Sequence, residues 1–223
     1  MIGQLIIVFL FMTGFGMIIL ISEFAHKRWS INPEYTRKFA HMLSCLSSLI
    51  LIFTITSHWY ILFLGSIFFL ILFIGRRQGY FNSIDSVSRK TMGSYILPVA
   101  IYCVFYLAST SNSLLIFVLP VLILGISDPL AGLFGVYYKA ETRNVVFQGY
   151  DFEKTFLGSF VFFSSAFLVS GVTLYFFDFE LPKILFLSIV LAGLTTLIEL
   201  VTPYGLDNLS VPVFAAILLL WIH

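Results

Sequence analysis

Apolar runs long enough to cross a bilayer recur from one end of this 223-residue chain to the other. That recurrence limits the fold more than any single motif does. A ~30 Å hydrocarbon core needs about 20 apolar residues of helix, and inside lipid every backbone N–H and C=O must be satisfied within the protein. On that basis membrane segments fall at 5–21, 39–57, 59–74, 95–108, 114–138, 156–177, 184–198 and 209–221. The 95–108 and 209–221 runs are short for a crossing without their polar flanks, so seven or eight segments are predicted. Only 10% of residues are charged, against about 25% in a soluble domain. The fold class expected is therefore all-α: a polytopic transmembrane helix bundle.

The first run has no basic segment before it and no small-residue cleavage site after it, which predicts a retained helix and not a removed signal peptide. No repeat or low-complexity linker divides the chain, so residues 1–223 read as one integral membrane domain. The formal net charge of +1 and the two cysteines, Cys45 and Cys103, exclude a basic nucleic-acid binder and a disulfide scaffold.

The placement of the cations says more than their sum. The link after the first segment holds Lys27, Arg28, Arg37 and Lys38; the link after the third holds Arg76, Arg77, Arg89 and Lys90; the link after the fifth holds Lys139, Arg143 and Lys154. Of the twelve Lys and Arg residues, only Lys183 falls on the opposite side. The positive-inside rule then puts the N-terminus outside and these three links in the cytoplasm, in a multi-pass protein of a prokaryotic cytoplasmic membrane.

Ionisable residues at membrane depth are costly and are functional-site candidates by default. His41, Asp128, Glu199 and Asp207 all lie at the expected cytoplasmic ends of their segments. Asp128 sits in Gly125-Ile-Ser-Asp-Pro-Leu-Ala-Gly-Leu-Phe-Gly135, where Pro129 disfavours α geometry at the preceding residue. Asp128 is therefore expected to cap a broken transmembrane helix, with Gly132 and Gly135 following on its face as a site of close ligand approach or of helix packing. Arg37, Lys38 and His41 share a helical face, with guanidinium geometry suited to phosphate.

Lys154, Thr155, Gly158 and Ser159 open a segment whose free N–H groups suit an anion, although Thr155 equally suits a plain N-cap. Lys90, in the stretch Arg89-Lys-Thr-Met-Gly-Ser94, adds a further cation. Pro203 and Gly205 end one helix, and Asp207 or Asn208 caps the next. Glu199 and Asp207 are hard oxygen donors of the kind Mg²⁺ takes when it is shared with phosphates. No P-loop, dinucleotide fingerprint, zinc motif or G-x-S-x-G nucleophile elbow is present.

These pieces, taken in order, resemble the phytol kinase and dolichol kinase family of nucleotide-dependent lipid-alcohol kinases, with CTP-dependent diacylglycerol kinases and CDP-diacylglycerol synthases more distantly similar. The matching residues are Arg37-Lys38-x-x-His41, Gly93-Ser94 with Pro98, Asp128-x-x-Ala131-x-x-x-Gly135, Lys154-Thr155-x-x-Gly158-Ser159 and Asp207-Asn208-Leu209-Ser210-Val211-Pro212. The chain departs from the pattern at Ser127, where many members carry Gly, and at Lys139, where they carry a further Gly.

The resemblance implies transfer of the γ-phosphoryl of CTP or UTP to the hydroxyl of an isoprenoid alcohol, with Mg²⁺ as cofactor. It implies Asp128 and Asp207 as metal ligands. Arg37, Lys38, Lys90, Gly132, Gly135, Lys154, Thr155, Gly158, Ser159 and Asn208 would line the nucleotide phosphates. Asp128, Lys154, Glu199 and His41 would carry the chemistry, either of the last two acting on the alcohol. The partners implied are a lipid alcohol, a nucleoside triphosphate and membrane lipids, with no nucleic acid. A CTP-dependent diacylglycerol kinase, a cytidylyltransferase built from the same parts and a small transporter are the competing readings. A chain about half the usual length of those synthases favours the kinase over the cytidylyltransferase.

Overall fold

The computed structural model describes residues 2–81, 92–138, 143–147 and 150–222. Helix α1 covers Ile2–Trp29, α2 Pro33–Ser48, α3 Leu51–Thr54, α4 His58–Gln78, α5 Gly93–Ser111 and α6 Leu115–Tyr137. A hairpin of β1 (Asn144–Phe147) and β2 (Tyr150–Thr155) follows, then α7 (Phe156–Phe176), α8 (Leu181–Val201) and α9 (Asp207–Ile222). Six of these helices, α1 and α4 to α8, are long and apolar enough to cross a membrane. The protein is a helical membrane bundle, in which the 16-residue α9 is a shorter apolar helix and α2, followed by α3, is a short amphipathic one.

Local chemistry sets several helix ends. Pro33 occupies the first turn of α2, where its missing N–H costs nothing, and the Asn32 side chain accepts from the Glu34 N–H. That start lies six residues before the apolar run, so Arg37 and Lys38 stand inside a helix and not in a link. Gly79, at φ 71°, ends α4 and donates back to Arg76 and Gly75, a left-handed cap that glycine adopts without strain. Thr155 caps α7 by accepting from the Gly158 N–H.

Helix α6 is the axis of the bundle. In its most apolar window 72% of residues are buried, against 11% in α1, which packs only along one side, on α2 and α4. Around α6 stand α2, α5, α7 and α9, and α8 packs on α7. The large apolar side chains on the outer faces, such as Phe160, Phe186 and Trp221, remain exposed, as expected where lipid is the solvent.

The expected break at Asp128 is not there. Residues 115–137 form one continuous helix, and Asp128 has helical angles (φ −65°, ψ −46°) and does not act as an N-cap. In place of a break there is a π turn at Ile123–Ser127, ending immediately before the Asp128-Pro129 pair. Widening the helix there absorbs the donor that proline lacks and the crowding of its ring against the preceding turn. The turn also brings Gly125 against α2, where a Cβ would lie 2.6 Å from that of Cys45. A true interruption occurs instead between α8 and α9, at 202–206, where Tyr204 and Gly205 have φ of 59° and 79°.

Candidate functional site

Two clusters of buried charge meet at one end of the bundle. In the first, Lys38 Nζ of α2 donates to Asp128 Oδ2 of α6 at 2.7 Å and to the Asp128 carbonyl at 3.2 Å. His41 Nε2 lies 3.2 Å from the Leu124 carbonyl oxygen and 3.6 Å from Asp128 Oδ2. A carbonyl only accepts, so Nε2 carries a proton, and in the neutral ring Nδ1 is the acceptor. Arg37, one residue before Lys38, pairs with Glu34 at 2.7 Å and leaves its buried Nε without a partner.

In the second cluster Lys154 of β2 donates to Glu199 of α8 and, at 2.7 Å, to Asp207 Oδ2 of α9. Burial pulls the Lys154 ammonium towards the neutral form, but the Asp207 and Glu199 carboxylates outweigh it and hold its pKa above the ordinary lysine value. Glu199 Oε2 is buried with no hydrogen-bond partner. Arg37 Nε and Glu199 Oε2 are therefore a donor and an acceptor available at the site to water, an ion or a ligand.

A polar cavity joins the clusters, lined by Arg37, Lys38, Asp128, Gly132, Phe152, Lys154, Glu199, Thr202, Pro203, Tyr204, Gly205, Asp207 and Asn208. It encloses about 620 Å³ of space, its open mouth included. Beside it lies a larger cavity of about 910 Å³ on the same measure. That one descends between α1, α2, α4 and α5 and is lined mainly by apolar side chains. Arg37, Lys38, Asp128 and Asn208 line both cavities.

Most of the residues singled out from sequence therefore meet. Arg37, Lys38, Asp128, Gly132, Lys154, Glu199, Asp207 and Asn208 line the polar cavity, and His41 lines the apolar one. Gly132 makes room for the Lys38 side chain, which passes over it: a Cβ would overlap Lys38 Cε and lie 2.9 Å from Nζ. Gly135, Thr155, Gly158 and Ser159 line neither cavity. A Cβ on Gly135 would meet the Thr155 hydroxyl at 3.0 Å, and one on Gly158 the Ala131 carbonyl at 3.2 Å, so this group is where α6 and α7 cross. The Thr155 hydroxyl serves as the helix cap, and Ser159 Oγ is buried without a partner. Lys90 lies outside the described residues.

Sequence reasoning missed Phe152 and the hairpin that carries it. On β2, Phe152 and Lys154 are two residues apart, hence on one face, and both line the polar cavity. The signal was present: Gln148-Gly149 separates two short segments of strand-like composition. Also missed was the role of Asn208, whose Nδ2 donates at 2.9 Å to the Gly93 carbonyl and fixes the first turn of α5 beside the site.

Comparison of the chain with models of protein families, with characterised proteins and with solved structures gives no match.

Proposed function

We propose that this protein is a lipid-alcohol kinase that transfers the γ-phosphoryl of CTP or UTP to the hydroxyl of an isoprenoid alcohol. One observation carries the reading: a cavity lined by cations and carboxylates shares a wall with a long apolar cavity, and that wall is Arg37, Lys38, Asp128 and Asn208. A phosphotransferase acting on a membrane alcohol needs this adjacency, with a charged chamber for phosphates and an apolar one for the tail.

Phosphoryl transfer is mainly positioning plus electrostatic stabilisation. Arg37, Lys38 and Lys154 supply three cations around the polar cavity, and incoming phosphates would draw the two lysines away from their carboxylates. The alcohol oxygen forms the new bond to the γ-phosphorus, the bond to the β,γ-bridging oxygen breaks and the nucleoside diphosphate leaves. His41, on the apolar side, takes the hydroxyl proton at Nδ1. Glu199 lines only the polar cavity, which suits it to the nucleotide side.

Among the described residues no three His, Cys, Asp or Glu side chains form a ready metal site. A Mg²⁺ shared with substrate phosphates needs only one or two carboxylates. Asp128 and Asp207 face the same cavity as the unpartnered Glu199 Oε2, so the donor set fits a shared Mg²⁺. Such an ion would neutralise charge on the phosphates as it is transferred.

In this reading α2 with α3, and α9, add to the six long helices to give seven or eight crossings, the N-terminus is outside and the site faces the cytoplasm. Labelling of single cysteines at Gln4 and Gly79 by a membrane-impermeant reagent tests the orientation: Gln4 is expected to react from outside and Gly79 only after permeabilisation.

The deciding experiment gives purified protein labelled CTP, UTP or ATP with Mg²⁺, a panel of lipid alcohols and, in a separate arm, a lipid phosphate. A phosphorylated alcohol with release of nucleoside diphosphate is expected. Release of pyrophosphate would show a cytidylyltransferase instead, and absence of labelled lipid from the folded protein in every combination would overturn the kinase.

A further inference from the structure

We infer that the apolar cavity is a sleeve for one hydrocarbon tail about one leaflet deep, which sets the acceptor as a single-chain alcohol of about fifteen to twenty carbons. This rests on the kinase reading for what happens at the mouth of the sleeve, while the sleeve itself rests on the geometry below.

Its depth is written along the helices. On α2 the lining runs from Arg37 to Ser48, and on α4 from Leu72 to Ile61. Eleven residues at about 1.5 Å rise give about 16 Å, close to half of a ~30 Å hydrocarbon core. The polar end is the wall shared with the charged cavity. The far end is lined by the buried side chains of Leu51 and Ile61, with Ile101 of α5 beside them. A tail that reaches this floor holds its hydroxyl at Lys38, His41 and Asp128.

Its width is fixed by close helix contacts on two sides. Between α4 and α5, a Cβ on Gly65 would stand 3.3 Å from the Pro98 carbonyl oxygen, so these helices touch. Between α1 and α4, Phe15 packs edge-on against Phe68 with ring centroids 5.5 Å apart. Each of α2, α4 and α5 contributes one helical stripe to the wall, and α1 closes it with Phe15 and Ile19. A channel so bounded takes one chain. The two chains of a diacylglycerol would have to part α4 from α5 or α1 from α4.

The test uses full-length protein in detergent with Mg²⁺ and CTP. Its acceptors are geraniol, farnesol, geranylgeraniol, undecaprenol and a diacylglycerol, with direct binding of each lipid read in parallel by native mass spectrometry without nucleotide. Farnesol and geranylgeraniol are expected to give the highest kcat/KM and to bind one per chain. Ile61→Phe, which raises the floor, is expected to lower the geranylgeraniol-to-geraniol ratio of kcat/KM about tenfold, and Ile101→Phe at the same depth to do likewise. Ile61→Ala is expected to raise the undecaprenol-to-geranylgeraniol ratio.

Diacylglycerol used as well as geranylgeraniol, or length ratios unmoved in both phenylalanine variants, would overturn the sleeve, as would a co-purified phospholipid that no alcohol displaces. The two readings fail separately. Length-dependent binding that moves with Ile61 but leads to no phosphorylated lipid removes the kinase and keeps the sleeve. Phosphorylation indifferent to Ile61 and Ile101 does the reverse.

Discussion

Lys38 Nζ lies 2.7 Å from Asp128 Oδ2, and both side chains are under 10% exposed in the wall between the two cavities. This pair ties α2 to the turn of α6 that follows the π segment, across 90 residues of sequence. Two charges buried at this depth are tolerable only as a pair, so structure and chemistry are joined here.

Lys38→Met leaves the Asp128 carboxylate buried without its main partner and is expected to destabilise the protein by about 3–5 kcal/mol. Lys38→Met with Asp128→Leu removes both charges and is expected to recover most of that loss while remaining inactive. Thermal unfolding in detergent across the double-mutant cycle measures the coupling. Additive effects would mean that the pair does not act as a unit.

The second ion-pair cluster gives a dependence on pH. Lys154 has its pKa raised above the ordinary lysine value of 10.5. A group with a raised folded-state pKa contributes stability that is complete below its unfolded pKa and is lost as pH rises towards the folded value. The wild-type protein is therefore expected to lose stability above pH 10.5, and Lys154→Met to lose that part of the alkaline decline while being less stable at neutral pH. Melting temperatures of both proteins at pH 8 to 12 (about the range over which the loss sets in) check this.

Two glycines that look alike in sequence are expected to behave differently. At Gly158 a new Cβ meets the capping Thr155 hydroxyl at 3.0 Å and the Ala131 backbone carbonyl at 3.2 Å, and the carbonyl cannot turn aside. Gly158→Ala should cost about 1–3 kcal/mol by overpacking where α6 crosses α7. At Gly132 the neighbour is the far end of the flexible Lys38 side chain. Gly132→Ala should displace the buried Lys38 ammonium from Asp128 and so lower the melting temperature, and with it kcat/KM by about tenfold, equivalent to about 1.4 kcal/mol.

The difference between those glycines explains what the sequence could and could not disclose. Membrane segments follow from apolar runs alone, because lipid forces their backbone into helices. Charges are rare enough in such segments that Asp128 and Glu199 stand out from the sequence alone. Spacing along one helix, however, cannot tell a glycine that faces a cavity from one that faces another helix. Gly132 and Gly135 lie three residues apart and do one thing each. The proline after Asp128 has two structural solutions, a break or a π turn, and the sequence alone does not choose between them; the π turn that forms sets Gly125 against Cys45 of α2. The hairpin leaves only the short Gln148-Gly149 signal for another reason: its strands lack a long alternating pattern and take their place from Lys154, bonded to helices 45 and 53 residues further on.

His41 and Glu199, equivalent candidates on residue type, are separated by the cavities they line. His41 lies on the apolar side, held through Nε2 by the Leu124 carbonyl, and Glu199 lies on the polar side beside Lys154. If His41 takes the alcohol proton, His41→Ala is expected to lower kcat about 10²–10⁴-fold, with little change in KM for CTP. Glu199→Gln keeps the volume but removes a charge that holds Lys154, so its main effect should fall on KM for the nucleotide. Steady-state kinetics with CTP and geranylgeraniol varied in turn separate these outcomes. A loss of kcat confined to Glu199→Gln would transfer the proton to Glu199 and leave His41 as a strut between α2 and the π turn.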